Sequence, residues 1–267
     1  MNQLISLGPV ALSVERLMAV AAIWLFLLAT AWVARRETRK AATVGWLAAA
    51  GGVAVARLGY VVANFEAFRV EPLSALYIWQ GGFTLIPGLA AAAVILALSL
   101  KARARWLSLA SLAGLTAVWL VSSAILHGGS SRPLPEMAGL TDVRGAAISG
   151  QGAKGPMIVN LWATWCPPCR REMPLFQETA AANPDIPMLL VNQGEAPSTV
   201  SSYLQRQGID PGRVLIDPNG GFASRLGASA LPTTLFVNSE GEIVQIHSGE
   251  ISRAALISGL RDLKERE

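Results

Sequence analysis

Cysteine is almost missing from this chain: two residues in 267, Cys166 and Cys169, three positions apart. A disulfide framework needs pairs spread along the sequence, and a structural zinc site needs about four ligands. The two histidines, His127 and His247, lie far from the cysteines in sequence. A Cys/His metal site therefore lacks raw material, and a redox pair is the reading that remains. Charge is also scarce, at 15% of residues against about 25% in ordinary soluble proteins.

The shortage is uneven. Residues 1–127 hold long apolar runs broken by short basic loops, whereas 128–267 have the composition of a soluble domain. The net charge of +4 sits largely in those loops and comes with no nucleic-acid-binding motif, so no nucleic-acid partner is expected.

Four apolar segments, 17–34, 41–63, 83–100 and 106–126, each approach the length that a helix needs to cross a bilayer. The first makes a poor signal peptide, since no Lys or Arg precedes Arg16 and no cleavage site follows. Loop charge sets the expected orientation. Arg35, Arg36, Arg39 and Lys40 follow the first segment, and Lys101, Arg103 and Arg105 follow the third. Those loops should stay in the cytoplasm. Four crossings of a bacterial inner membrane then put both ends, and the soluble half, in the periplasm. Arg57, inside the second segment, is either an arginine snorkelling to the interface or the remnant of a lipid-headgroup site.

The stretches "LISLGPVAL" (4–12), "ARLGYV" (56–61) and "IWQGG" (78–82) resemble prolipoprotein diacylglyceryl transferase, an integral membrane enzyme. The resemblance covers roughly the first hundred residues, and the family's pattern is damaged there. Glu15 stands where that family has a tyrosine, and "FTLIPGL" (83–89) replaces its histidine-containing "HGG" stretch. The resemblance implies a scaffold that has lost its lipid-transfer chemistry, with lipid transfer as the competing function.

The stretch "GGSSRPLPE" (128–136) reads as a tether. Beyond it, apolar strands are expected at 156–163, 186–192, 213–217, 233–238 and 242–248. Helices are expected at 168–182 (with Pro174 inside), 198–207 and 251–265. The whole is a four-helix transmembrane domain (1–127), a linker (128–136) and an α/β domain (137–267) with a central mixed sheet flanked by helices.

The chemistry centres on "WATWCPPCRREMP" (162–174), where a buried strand meets a helix. Thiol–disulfide exchange needs a thiolate, so the site must lower a free thiol pKa of about 8.5. Cys166 falls at the helix N-terminus, where free N–H groups and the helix dipole favour negative charge. Cys169 lies one turn on, placed to resolve a mixed disulfide. The bland readings are two structural cysteines or half a zinc site. Trp162 and Trp165 flank the pair; Trp162 is expected in the core and Trp165 on the surface as a substrate contact.

Residues 135–265 resemble the TlpA/ResA class of thioredoxin-like extracytoplasmic reductases, through "WCPPCRREMP" and "ALPTT". That resemblance implies a thioredoxin-like fold and a cis Pro232, preceded by Leu231, that caps the pair and contacts substrate. It also implies a glutamate below the pair. Asn160 occupies the place of thioredoxin's titrating aspartate, and "LVNQGE" (190–195) makes Glu195 the expected relay, a solvated loop carboxylate being its alternative. The implied partners are disulfide-containing extracytoplasmic proteins, an inner-membrane electron donor of the DsbD type and the lipid bilayer. No cofactor or metal is expected. Reduction of protein disulfides is the expected direction; oxidation, isomerisation and simple docking are the alternatives.

Overall fold

The structure is a computed structural model that describes residues 4–7, 10–127, 131–147, 155–228 and 230–265. It divides into two compact units, whose main bodies are Leu12–Gly129 and Ser130–Glu267.

The chain begins with a two-stranded sheet of β1 (Leu4–Leu7) and β2 (Val10–Ser13). Then follow α1 (Val14–Arg36), α2 (Lys40–Ala63), the short α3 (Phe65–Val70), α4 (Leu85–Ser99) and α5 (Ala102–His127). Among the described residues three helical stretches are long and apolar enough to cross a membrane: Leu17–Arg36, Lys40–Ala63 and Ala102–Ile125. The third apolar run differs from expectation. Its helix, α4, has only 15 residues, about 22 Å at 1.5 Å per residue, short of the ~30 Å hydrocarbon core. The cause is local. Thr84 is extended and its Oγ1 donates to the Ala56 carbonyl at 2.9 Å, which holds back the helix start, and Leu100 is extended at the other end.

Helices α2 and α4 approach through small residues. A Cβ added to Gly52 would lie 3.0 Å from the Gly88 carbonyl oxygen, and one on Gly88 would lie 2.8 Å from that of Gly52. Close backbone approach of this kind supplies packing where lipid gives no hydrophobic drive.

The second unit is built on a seven-stranded sheet in the order β3-β9-β8-β5-β6-β7-β4. Its strands are β3 (Arg132–Pro133), β4 (Thr141–Asp142), β5 (Met157–Trp162), β6 (Met188–Gln193), β7 (Val214–Asp217), β8 (Thr233–Val237) and β9 (Glu242–Ser248). Parallel pairing joins β5, β6 and β7, and antiparallel pairing adds β8 and β9. All six residues of β5 are buried. Successive side chains leave a strand on opposite faces. Thus Ile158 and Trp162 enter one core with Phe176, while Met157, Val159 and Leu161 enter another with Phe222. Burial on both faces explains the unbroken apolar run. The helices are α6 (Pro167–Ala182), α7 (Pro197–Gln207), α8 (Gly221–Leu226) and α9 (Arg253–Lys264).

The stretch expected as a tether is not all free chain. Arg132 and Pro133 pair with Ile243 and Glu242, and the Leu134 N–H donates to the Gly241 carbonyl at 2.9 Å. A proline is admissible there because β3 is an edge strand. Residues 128–130 lie outside the described residues, as does the Glu15 side chain.

Candidate active site

Strand register brings three loops to one end of the sheet. Trp162, the last residue of β5, pairs with Asn192 near the end of parallel β6. Leu161 pairs with Thr233, the first residue of antiparallel β8. The turn carrying Cys166, the loop carrying Glu195 and the Leu231–Pro232 bond therefore emerge together.

Cys166 is the N-cap of α6, with extended backbone, and its Sγ accepts from the Cys169 N–H at 3.3 Å. Pro167 and Pro168 occupy the first helical positions, where an N–H would have no helical partner. The two cysteines form a disulfide with their Cα atoms 5.3 Å apart. The pair is 3% and 0% exposed, whereas Trp165 beside it is 68% exposed. Trp162 is fully buried. The Leu231–Pro232 bond is cis; Pro232 is buried and Leu231 half-buried. The Pro232 carbonyl accepts from the Gly249 N–H at 2.9 Å.

Glu195, the relay expected from sequence, sits in the loop just after β6. Its carboxylate accepts from the Thr164 N–H at 2.7 Å, the Thr164 hydroxyl at 2.5 Å and Asn192 Nδ2 at 2.7 Å. It ties the β6 loop to the turn two residues before Cys166. Three donors fix this carboxylate and make it an anchor for that turn.

The buried acid on the cysteine-bearing helix is Glu172, which sequence reading passed over. It is 2% exposed and three residues beyond Cys169 on α6. Residues three apart share a helix face. Its Oε1 accepts from Asn160 Nδ2 at 2.8 Å and its Oε2 from the Ile251 N–H at 3.0 Å. Burial pushes its carboxyl up to about 8, against the Ile251 and Asn160 hydrogen bonds, which favour the charged form; Glu250 raises it further and Arg171 opposes. The available signal was the i, i+3 spacing in "CRRE", where an acid follows the second cysteine on its own face.

Among the described residues no group of three or more His, Cys, Asp or Glu is placed to hold a metal ion. The chemistry on offer is that of two sulfurs at a helix N-terminus, with a buried carboxyl of raised pKa one turn further along the same helix.

The Redoxin family matches residues 131–261, and the prolipoprotein diacylglyceryl transferase family matches residues 2–126. The thiol–disulfide oxidoreductase ResA of Geobacillus kaustophilus is 32% identical over 130 residues, which cover 47% of this chain and 73% of that protein. The chain belongs to the ResA family of thiol–disulfide oxidoreductases. ResA of Halalkalibacterium halodurans is 33% identical over 114 residues, 41% of this chain; the chain spans 64% of that relative's length. The solved structure of the exposed lipoprotein thioredoxin of Streptococcus pneumoniae is 28% identical, covers 48% of this chain and 100% of its own, and superposes with a TM-score of 0.40. The membrane half accounts for the second family match. There the stretches 56–61 and 78–82 meet: Arg57, Tyr60 and Gly82 touch, and a Cβ on Gly82 would lie 2.4 Å from Tyr60 Cε1.

Proposed function

We propose that this protein is a membrane-anchored thiol–disulfide oxidoreductase that reduces disulfides in extracytoplasmic proteins. The observation that carries the reading is Cys166 at the N-cap of α6, disulfide-bonded to Cys169, with Glu172 buried on the same helix.

In the reduced enzyme, helix N–H groups stabilise the Cys166 thiolate. It attacks a substrate disulfide; one substrate sulfur leaves as thiolate, and a mixed disulfide forms. Cys169 loses its proton to the carboxylate form of Glu172 and attacks Cys166 Sγ, releasing the second substrate thiolate and leaving Glu172 protonated. Two electrons have then passed from the enzyme dithiol to substrate, and the Cys166–Cys169 disulfide remains. A membrane electron donor of the DsbD type, itself a dithiol, restores the reduced pair. Exposed Trp165 and the Leu231–Pro232 segment offer the substrate contact.

The orientation follows the loop charges. Seven basic residues flank the loops after α1 and α4 (four plus three), while the loop after α2 carries Arg69 and the N-terminal stretch Arg16. With α4 crossing despite its length, both basic loops lie in the cytoplasm, and the redox domain faces the periplasm of a multi-pass inner-membrane protein.

Trapping tests the central step. Cys169→Ser should accumulate mixed disulfides with partner proteins through Cys166, whereas Cys166→Ser should not. Equal trapping by the two variants would reject the assignment, and trapping by neither would reject exchange.

A further inference from the structure

The segment between α2 and α4 does not extend freely into water. It folds back onto Arg57, which lies six residues before the end of α2, about 9 Å along the helix axis. Arg57 is 8% exposed. Its Nε donates to the Ala75 carbonyl at 2.9 Å, Nη2 to Ser74 at 2.9 Å, and Nη1 to Gly81 at 2.5 Å and Gly82 at 2.9 Å. The guanidinium also sits 5.4 Å from the Phe68 ring centroid and 5.8 Å from those of Tyr60 and Phe83. The carbonyls of Ala75, Gly81 and Gly82 thus have a donor at the level of the last turns of a membrane helix, and that of Ser74, which also accepts from the Tyr77 N–H at 3.0 Å, has a second. Only satisfied or protein-covered backbone is tolerated at that depth.

The other side of the segment is apolar and bare. Leu73, Leu76, Ile78 and Trp79 are 69%, 71%, 62% and 57% exposed. Tyr77 stacks on Trp79 with centroids 4.8 Å apart. This surface continues the lipid-facing surface of the adjoining helix ends, where Val62 and Ile86 are 72% and 81% exposed. The neighbouring charges on α3, Glu66 and Arg69, pair with each other at 3.3 Å. An aromatic and aliphatic surface at the end of membrane helices matches the composition of a bilayer interface.

We infer that residues 72–82 form a re-entrant collar seated in the lipid headgroup–acyl boundary, with Arg57 as the pin that satisfies its backbone and Leu73, Leu76, Ile78 and Trp79 as its lipid contacts. The occupant is the bilayer, because the exposed apolar residues at the flanking helix ends, Val62 and Ile86, extend the same kind of surface, Val62 from a helix long and apolar enough to cross it. Arg57 is accordingly a donor to protein carbonyls. It is neither a snorkelling side chain nor a group free to hold a phosphate.

The test is nitroxide accessibility in the full chain, reconstituted in vesicles of phosphatidylethanolamine and phosphatidylglycerol. Labels would be attached at Leu73→Cys, Ile78→Cys and Trp79→Cys in a Cys166→Ser/Cys169→Ser background. Val118→Cys on α5 serves as a lipid reference and Ser239→Cys in the β8–β9 turn as a water reference. Labels on the collar should collide with oxygen severalfold more than with a water-soluble nickel complex, between the two references. Ratios equal to that of Ser239→Cys would overturn the inference. Exclusion of both colliders would overturn it too, since protein would then cover the patch. Arg57→Lys cannot serve all four carbonyls, so the Ile78→Cys label in that variant should shift toward nickel. An unchanged depth would remove Arg57 as the pin.

Discussion

Asn160 Nδ2 donates to Glu172 Oε1 at 2.8 Å, with both side chains sealed from solvent. Asn160 also donates to Thr234 Oγ1 at 3.1 Å, while its own Oδ1 has no partner within the protein. The pair has two complementary states. A charged Glu172 accepts from the amide, and a neutral Glu172 can donate to Asn160 Oδ1 after the amide turns over. A buried carboxyl can therefore gain and lose a proton without stranding a donor against a donor, which suits a group that receives the Cys169 proton.

The first prediction follows from the raised Glu172 carboxyl. Between 4.5, its ordinary value, and about 8 in the fold, the folded chain holds a proton that the unfolded chain has released. Stability from this group is fully present below the lower value, falls as pH rises through the window, and is lost above the upper value. Glu172→Gln cannot titrate. Urea unfolding across this range should show a flattened pH dependence, with the variant gaining on the parent at pH 8 by an amount on the order of a few kcal/mol. Exchange should slow, and its pH–rate curve should lose the limb near 8. An unaltered slope would deny Glu172 its proton.

Glu195 should behave differently. Glu195→Gln replaces one acceptor oxygen by a donor facing Thr164 or Asn192, which loosens the turn that presents Cys166. The exchange rate should fall, on the order of tenfold for a misplaced reacting atom, while the shape of the pH–rate curve stays that of the parent. Stopped-flow reduction of a model disulfide measures both. A lost titration limb in this variant would return the relay to Glu195.

The site was legible in sequence where covalent order and spacing determine geometry. Strand, turn and helix in "LWATWCPPCRRE" had to put Cys166 at a helix start, and the five inner strands followed from apolar runs bounded by turns. Glu172 was not anticipated because burial is a tertiary fact: it reads as surface in a run of charged residues, and Asn160 of β5 and the Ile251 N–H meet its carboxylate only in the fold. Edge strands β3 and β4 are two residues each and too short to show alternation. α4 was overestimated since hydropathy alone does not register the Thr84 bond to Ala56 that delays its start. Glycine spacing held more than it revealed. "IWQGG" ends on Gly81 and Gly82 because both have positive φ, 80° and 82°, and both carbonyls serve Arg57.

Orientation provides a third prediction. Alkaline phosphatase folds only where disulfides form, so a fusion after Lys264 should be active if the redox domain is periplasmic. The result depends on α4 crossing, since three crossings instead of four would leave the domain in the cytoplasm. A stable but inactive fusion would overturn the topology. The matching control is a fusion in the loop after α1, near Arg39, which should be inactive in either case.

Lipid transfer by the membrane half is the remaining alternative, and the prediction is that it is absent. Transfer of a diacylglyceryl group requires a cationic or polar site open to a phospholipid headgroup and a base to activate the acceptor thiol. The family match over residues 2–126 supplies the scaffold, but Arg57 spends its donors on Ser74, Ala75, Gly81 and Gly82. Where the related enzymes carry a histidine, residues 83–89 read Phe-Thr-Leu-Ile-Pro-Gly-Leu, and the threonine hydroxyl is bound to Ala56. No histidine occurs before His127 at the end of α5. Expression of the full chain in a strain depleted of its own transferase should therefore fail to restore growth or lipoprotein acylation, with membrane insertion confirmed by the phosphatase fusion. Restored acylation, including in a Cys166→Ser/Cys169→Ser variant, would establish a lipid-transfer activity independent of the redox pair.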